Sequence, residues 1–400
     1  MTALGDDIRR AGILWVTPEV PDRDGGGGNQ VQAHLVRELA REVPVDVVVA
    51  GEVRDPVVRA SARTITEVEP APPLPTNRLR RRASAATTAW LGRQPLEVVA
   101  NAALRDSLAA PLAAGAPAVG AVVVNHLALA PLLLGPRVGH TPWVLFLHHA
   151  AADRAAQLAA VEPRRLQAAL LRRDAANLRA VEQNVVDHAD RLVVLSAEDA
   201  VRLARPGTAT TVVPLGADVE RATPAPLPPD PVVVFTGTLD YPPNVDGLRW
   251  FADRVWPAVR SRVPGAQLLV VGRHPAPEVQ ALDGRDAISV HPDVPEMAPW
   301  FARARVAVAP LRAGTGVRLK AMEALAAGRA LVGTRVALEG IELGPDDADV
   351  VDDPAGFAEA VVRLLDDDDL ASARGERGRA LAETKFTWRR SARLLLDGLA

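Results

Sequence analysis

Residues Pro310–Thr334, PLRAGTGVRLKAMEALAAGRALVGT, concentrate the residue types that could do chemistry in this 400-residue chain. Lysine occurs only at Lys320 and Lys385, although Lys and Arg together number 46, so a lysine kept inside a glycine-rich motif invites a chemical reason. A strand is expected to end at Pro310. The turn Gly314-Thr315-Gly316 follows, and an Ala/Leu/Met-rich helix beginning at Gly316 runs to a glycine stop at Gly328. Thr315 is the expected N-cap, which leaves Arg318 in the first turn and Lys320 just beyond it. Cations there oppose the helix dipole, at a cost of roughly a few tenths of a kcal/mol. A bound anion reverses that sign. The turn's N–H groups, the helix N-terminus, Arg318 and Lys320 would then form a diphosphate cradle, with Glu323 on the same helical face accepting from ribose hydroxyls. The competing reading is an ordinary helix carrying a Lys320–Glu323 surface pair.

Two further segments carry candidate groups. Gly25–Gly28 lies between a first strand and an expected helix Gln30–Arg41, and such a loop lets backbone approach a phosphate or sugar. It departs from G-x-G-x-x-G because the third glycine would fall on Gln30, which disfavours a nicotinamide dinucleotide; a loop without ligand contact remains open. His148-His149 closes a strand, where an imidazole is placed either for polar contact with a substrate or for a structural role. There is no Gly-x-Ser-x-Gly elbow, so hydrolysis by a serine triad is unsupported. Asp366–Asp369 reads as a solvated loop, because four adjacent acids cannot converge on one ion.

Short β-branched runs alternate with Ala/Leu/Arg-rich stretches, the pattern of parallel sheets covered by helices. Strands are expected at Ile13–Thr17, Val45–Ala50, Ala121–Asn125, Val144–His148 and Leu192–Leu195. A second set is expected at Val232–Thr236, Leu268–Val271, Ile288–Val290, Val306–Pro310, Ala330–Gly333 and Asp349–Val351. Between the sets, prolines at 224, 226, 228, 229 and 231 stiffen a linker. The expected organisation is residues 1–215 as one Rossmann-like domain, 216–231 as linker and 232–383 as a second, with the last helix 384–400 returning to the first. Ligands of open α/β folds bind at the carboxyl ends of the strands, here in a cleft between the domains. Residues 54–118 are the least legible, and Arg78–Arg82 reads as a solvated basic face.

Composition excludes several classes. A 48% hydrophobic and 24% charged chain can bury sizeable cores, and a net charge of −3 argues against general nucleic-acid or anionic-membrane binding. The absence of cysteine removes disulfides, thiolate metal sites and a thiol nucleophile. No apolar run has the ~20 residues of a spanning helix, and the opening MTALGDDIRRAG has no apolar segment, so a cytoplasmic protein without signal peptide is expected.

On these segments the chain resembles the retaining glycosyltransferases of family 4, whose GT-B architecture pairs two Rossmann-like α/β domains. FTGTLDYPPNVDGLRWF is similar to the family's opening of the second domain. PGAQLLVVGR and ISVHPDVPEMAPWFARARVAVAPL resemble the next units, including a nucleobase loop, and GTGVRLKAMEALAAGRALVGT resembles its glycine loop and glutamate helix. Leu338–Ile341 is similar to the loop that follows. Val213–Asp218 resembles the interdomain strand with Leu215 replacing Asn, and the helix after Phe386-Thr387-Trp388 resembles the returning segment.

The resemblance implies transfer of a hexose-type sugar, with retention, from a nucleotide-diphosphate sugar (UDP-sugar foremost) to a small-molecule or glycan acceptor. His148 would act on the donor sugar, and Arg318 and Lys320 on the diphosphate. Donor contacts would come from Gly26, Gly27 and Gly28, from Gly237 and Val294, from Gly314, Thr315 and Gly316, and from Glu323 at the ribose. Neither cofactor nor metal is implied, and the partners are donor and acceptor, without nucleic acid or membrane insertion. Two departures bear on donor identity. Thr315 stands where the family has the first Glu of its Glu-x7-Glu pair. The family's Arg-x-x-x-x-Lys is absent, with Thr238 and Pro243 in that region. A catalytically silent nucleotide-sugar-binding protein and a nucleotide-sugar epimerase on the same scaffold are the alternative readings.

Overall fold

The computed structural model describes residues 3–68, 95, 98, 105–109, 119–135, 141–162 and 164–399. The basic run Arg78–Arg82 lies outside them. The chain divides into two units: residues 1–214 with 388–400, and residues 215–387.

Among the described residues of the first unit seven strands form one parallel sheet. They are β1 (Ile13–Thr17), β2 (Val45–Ala50), β3 (Thr64–Val68), β4 (Ala121–Asn125), β5 (Trp143–Leu147), β6 (Arg191–Val194) and β7 (Ala209–Val212). The spatial order is β3-β2-β1-β4-β5-β6-β7, with Ile13 beside both Val45 and Ala121. Every residue of β1, β2, β4 and β5 is buried, because helices cover both faces of a parallel sheet. The edge strands β3 and β7 carry exposed positions, and neither has the unbroken apolar run that betrays a central strand. β5 ends one residue earlier than expected, so His148 stands just beyond the sheet.

The second unit is a six-stranded parallel sheet of order β10-β9-β8-β11-β12-β13. Its strands are β8 (Val232–Thr238), β9 (Gln267–Arg273), β10 (Ile288–Pro292), β11 (Val306–Ala309), β12 (Ala330–Gly333) and β13 (Asp349–Val350). In each unit the strand order reverses at one place, β1/β4 in the first and β8/β11 in the second. Such a reversal opens a crevice at the strand carboxyl ends.

The proline-rich stretch is not a free tether. Buried Arg329 donates to the carbonyls of Ala225, Pro226, Ala304 and Ala327, and Arg379 donates to those of Val219, Ala222 and Ala326. Burial lowers the pKa of Arg329, which has carbonyl dipoles rather than a carboxylate around it. The last helix, Trp388–Leu399, packs in the first unit, where Trp388 stacks on His34 with centroids 4.8 Å apart and Ser391 donates to the Pro214 carbonyl at 2.6 Å. Ala217 N donates to the Phe386 carbonyl at 2.8 Å in the second unit.

Asp366–Asp369 is not a loop. Asp366 ends the helix Pro354–Asp366, Asp367 caps the next helix through Leu370 N at 2.9 Å, and Asp368 pairs with buried Arg305. Among the described residues no helix is long and apolar enough to cross a membrane.

Candidate functional site

The β8/β11 crevice of the second unit gathers most of the expected residues. β8 ends in Gly237-Thr238, and Pro242-Pro243 then start the helix Pro242–Trp250, with Asn244 facing back. The Asn244 amide donates to the Thr238 carbonyl at 2.7 Å, which turns its oxygen toward Lys320 Nζ, also at 2.7 Å. The ammonium lies 4.2 Å from the Phe235 ring centroid, a cation–π contact. Gly237 has φ of 148°, and a Cβ there would come within 2.9 Å of Lys320 Nζ and Asn244 Nδ2, so only glycine lets the ammonium lie on this backbone. Burial, reinforced by the Arg318 guanidinium and opposed by Glu323, lowers the Lys320 pKa to about 7. Lys320 and Glu323 are therefore not a surface pair. Burial also raises the Glu323 carboxyl, against the pull of Lys320 and Arg273, while Asp218 adds to the rise.

The glycine turn differs from expectation in one respect. Gly314 and Gly316 have φ of 126° and 83°, outside the helical region, so the helix cannot begin at Gly316. It runs Leu319–Ala326, with Arg318 rather than Thr315 at the N-cap. Thr315 is buried, and its carbonyl accepts from Arg318 Nη1 at 2.7 Å, which folds the guanidinium against Gly314. Lys320 consequently sits in the first turn, one residue after Leu319. Cations at both the cap and the first turn fit an anion more closely than the anticipated arrangement did. Val294 is part-buried in the loop after β10 and packs against the same core as Trp300, which itself packs on His291 with centroids 4.2 Å apart.

In the first unit, the glycine run does not stay a loop. Gly26 is the N-cap of the helix Gly27–Leu39, and Gly27 and Gly28 are its first residues. The Glu19 carboxylate fills the space that a side chain at Gly28 would need, so this helix start has a carboxylate of its own against it.

His148 stands near His126 and Phe146, with ring centroids 6.0 and 5.2 Å away. Its Nε2 is 3.3 Å from Gln32 Nε2, whose amide oxygen in turn receives Trp15 Nε1 and Asn125 Nδ2, each at 2.7 Å. Burial and then the charge of His126 hold the His148 pKa down at about 3, so it is neutral across the physiological range. The turn after His149 is fixed from below. Asp199 accepts from Ala150 N at 3.1 Å and Glu182 from Ala152 N at 3.2 Å, at the start of the helix Ala151–Val161. Burial pushes the Glu182 carboxyl up to about 7.

Sequence reasoning did not find Asn244, Phe235, Arg273, Trp15, Gln32 or Asn125. Only Asn244 had a signal, as the polar residue after Pro-Pro at the expected crevice.

Two Rossmann-like units with these sheets are the GT-B class of fold. Sucrose-phosphate synthase from Thermosynechococcus elongatus has the same fold: TM-score 0.70 at 20% identity, covering 96% of each chain. An E. coli trehalose-6-phosphate protein bound with UDP-2-fluoro glucose superposes with TM-score 0.65 at 14% identity, covering 97% of this chain and 98% of that one. An S. aureus TarM mutant in complex with Fondaparinux, alpha-GlcNAc-glycerol and UDP gives TM-score 0.64 at 8% identity, covering 97% and 99%.

Residues 230–367, about a third of the chain, match the family described as glycosyl transferases group 1. D-inositol 3-phosphate glycosyltransferase of Corynebacterium jeikeium (strain K411) is 31% identical over 291 residues, 64% of this chain. The match spans 65% of that protein's length, just under two thirds.

Proposed function

We propose that the chain is a retaining glycosyltransferase that moves a hexose-type sugar from a nucleotide-diphosphate sugar, a UDP-sugar foremost, to a small-molecule or glycan acceptor. The observation that carries this reading is the cation pair at the β8/β11 crevice. Lys320 is held against Gly237 by Asn244 and Phe235, and Arg318 caps the helix that bears it. Part-buried cations at a helix start oppose the helix dipole and are relieved by a diphosphate. The group 1 domain covers this crevice, and two proteins of the same fold were solved with UDP or a UDP-sugar analogue.

In this reading Lys320, Arg318 and the N–H groups of the first turn stabilise charge developing on the leaving diphosphate, which is commonly the largest electrostatic contribution. The acceptor proton passes to the departing phosphate on the same face, so no protein nucleophile is used. Glu323 takes the ribose hydroxyls, Val294 borders the base and His148 contacts the donor sugar. The glycine positions Gly26, Gly27, Gly28, Gly314 and Gly316 bring backbone close to the donor. Thr315 brings no carboxylate, so recognition of the sugar hydroxyls falls to backbone and hydroxyl groups. The reading requires no metal or cofactor.

The test is a screen of nucleoside-diphosphate sugars with sugar, inositol and glycan acceptors, read by mass spectrometry beside calorimetric donor binding. A glycoside product with retained anomeric configuration is expected. Donor binding without hydrolysis or transfer would replace this reading with a silent nucleotide-sugar binder, the outcome that Thr315 favours. Conversion of the donor without acceptor would indicate an epimerase.

A further inference from the structure

Gln32 occupies a position no local motif announces. It lies on the helix Gly27–Leu39, fully buried, and its amide reaches three adjacent strands of the first sheet at their order reversal. Trp15 lies within β1, Asn125 ends β4 and His148 follows β5. An indole nitrogen only donates, so the 2.7 Å contact from Trp15 Nε1 identifies the Gln32 atom facing it as the oxygen. The second donor, from Asn125 at 2.7 Å, falls on the same oxygen. A flipped Gln32 would bring amide hydrogens against the indole N–H, which is not available as an acceptor. The NH2 group is therefore the one 3.3 Å from His148 Nε2, and that nitrogen must accept. Imidazole with an accepting Nε2 carries its proton on Nδ1.

We propose that Gln32 is a positioning residue: it fixes His148 in the neutral, Nδ1-protonated tautomer, so that His148 offers a substrate oxygen one hydrogen-bond donor and no acid or base. Protonating His148 would set an Nε2–H against the Gln32 NH2, which agrees with the low basicity imposed by burial and by His126. A donor of this kind suits a hydroxyl oxygen of a sugar, and that part of the inference rests on the transferase reading above. The tautomer does not.

The full chain with 15N-labelled histidine tests the inference by long-range proton–nitrogen NMR, the eight histidines being sorted with His148→Asn. His148 is expected to show a protonated Nδ1 and an unprotonated Nε2, unchanged from about pH 5.5 to about pH 8.5. A protonated Nε2 in the wild-type spectrum overturns the inference without any variant. Gln32→Glu keeps the acceptor for Trp15 and Asn125 but turns a carboxylate oxygen toward Nε2, so His148 should become protonated there at neutral pH. With a transferable sugar, kcat should fall by about tenfold or more while nucleoside-diphosphate Kd stays within about twofold. A wild-type tautomer pattern in folded Gln32→Glu also overturns the inference. The spectra need neither donor nor acceptor, so an absence of transfer would refute only the transferase reading.

Discussion

Measuring nucleoside-diphosphate affinity across pH reads the state of Lys320 directly. Its pKa of about 7 in the free protein arises from burial and from the neighbouring guanidinium. A diphosphate against the ammonium restores the charge, so the bound pKa lies higher and binding takes up a proton. The protonated fraction falls from roughly three quarters near pH 6.5 to roughly 3% near pH 8.5, so UDP affinity should weaken about 25-fold, or about 2 kcal/mol, across that range. Near pH 8, calorimetry in buffers of different ionisation enthalpy should register about 0.9 proton taken up per UDP. Lys320→Met gives the baseline that removes the nucleotide's own ionisation, and Lys320→Arg should flatten the profile because a guanidinium stays charged. Wild-type affinity that follows the Lys320→Met profile, with no buffer-dependent enthalpy, would refute the diphosphate assignment and the electrostatic reasoning behind it.

Three other perturbations have defined outcomes. Glu323→Ala should weaken UDP more than 2′-deoxy-UDP, and Glu323→Gln less than Glu323→Ala, because one acceptor oxygen survives; equal losses for both nucleotides would mean the 2′-hydroxyl is not read. Glu182 has a folded pKa raised from 4.5 to about 7, so it contributes stability below its unfolded value that is lost as pH rises through 7; calorimetric unfolding should show a fall of order 3 kcal/mol across that window, absent in Glu182→Gln. Arg329→Met leaves the carbonyls of Ala225, Pro226 and Ala304 without their donor and should lower the stability of the second unit by about 2–4 kcal/mol in denaturant titrations, whereas an unchanged midpoint would show that the proline-rich strap holds by packing alone.

The central strands were legible because burial on both faces leaves short, predominantly apolar runs. β1, β2, β4 and β12 begin and end where composition places them, whereas edge strands β3 and β7 lack such runs and went unread. The Lys320 motif was legible because a rare residue follows a glycine turn. Its helix start was misplaced by three residues: a threonine between two glycines looks like a cap, and only the left-handed φ of Gly316 moves the start to Leu319. The groups that give Lys320 and His148 their properties were illegible for another reason. Asn244 is 76 residues from Lys320, and Gln32 is 116 from His148, so their contacts exist only once the sheets are assembled. No local period encodes them.

The pairing of Ala217 with Phe386 and of Pro214 with Ser391 also bears on how the gene for this chain could be cut. Residues 215–387 enter and leave the first unit's chain as one insert, and each unit holds its two cut ends side by side. The second unit can therefore be excised as one uninterrupted polypeptide, and the first resealed by a short glycine-rich splice between Pro214 and Trp388. Excision has to begin at Leu215. Starting at the first strand, Val232, would discard the proline strap whose carbonyls receive Arg329 and Arg379, and would strand a buried cation.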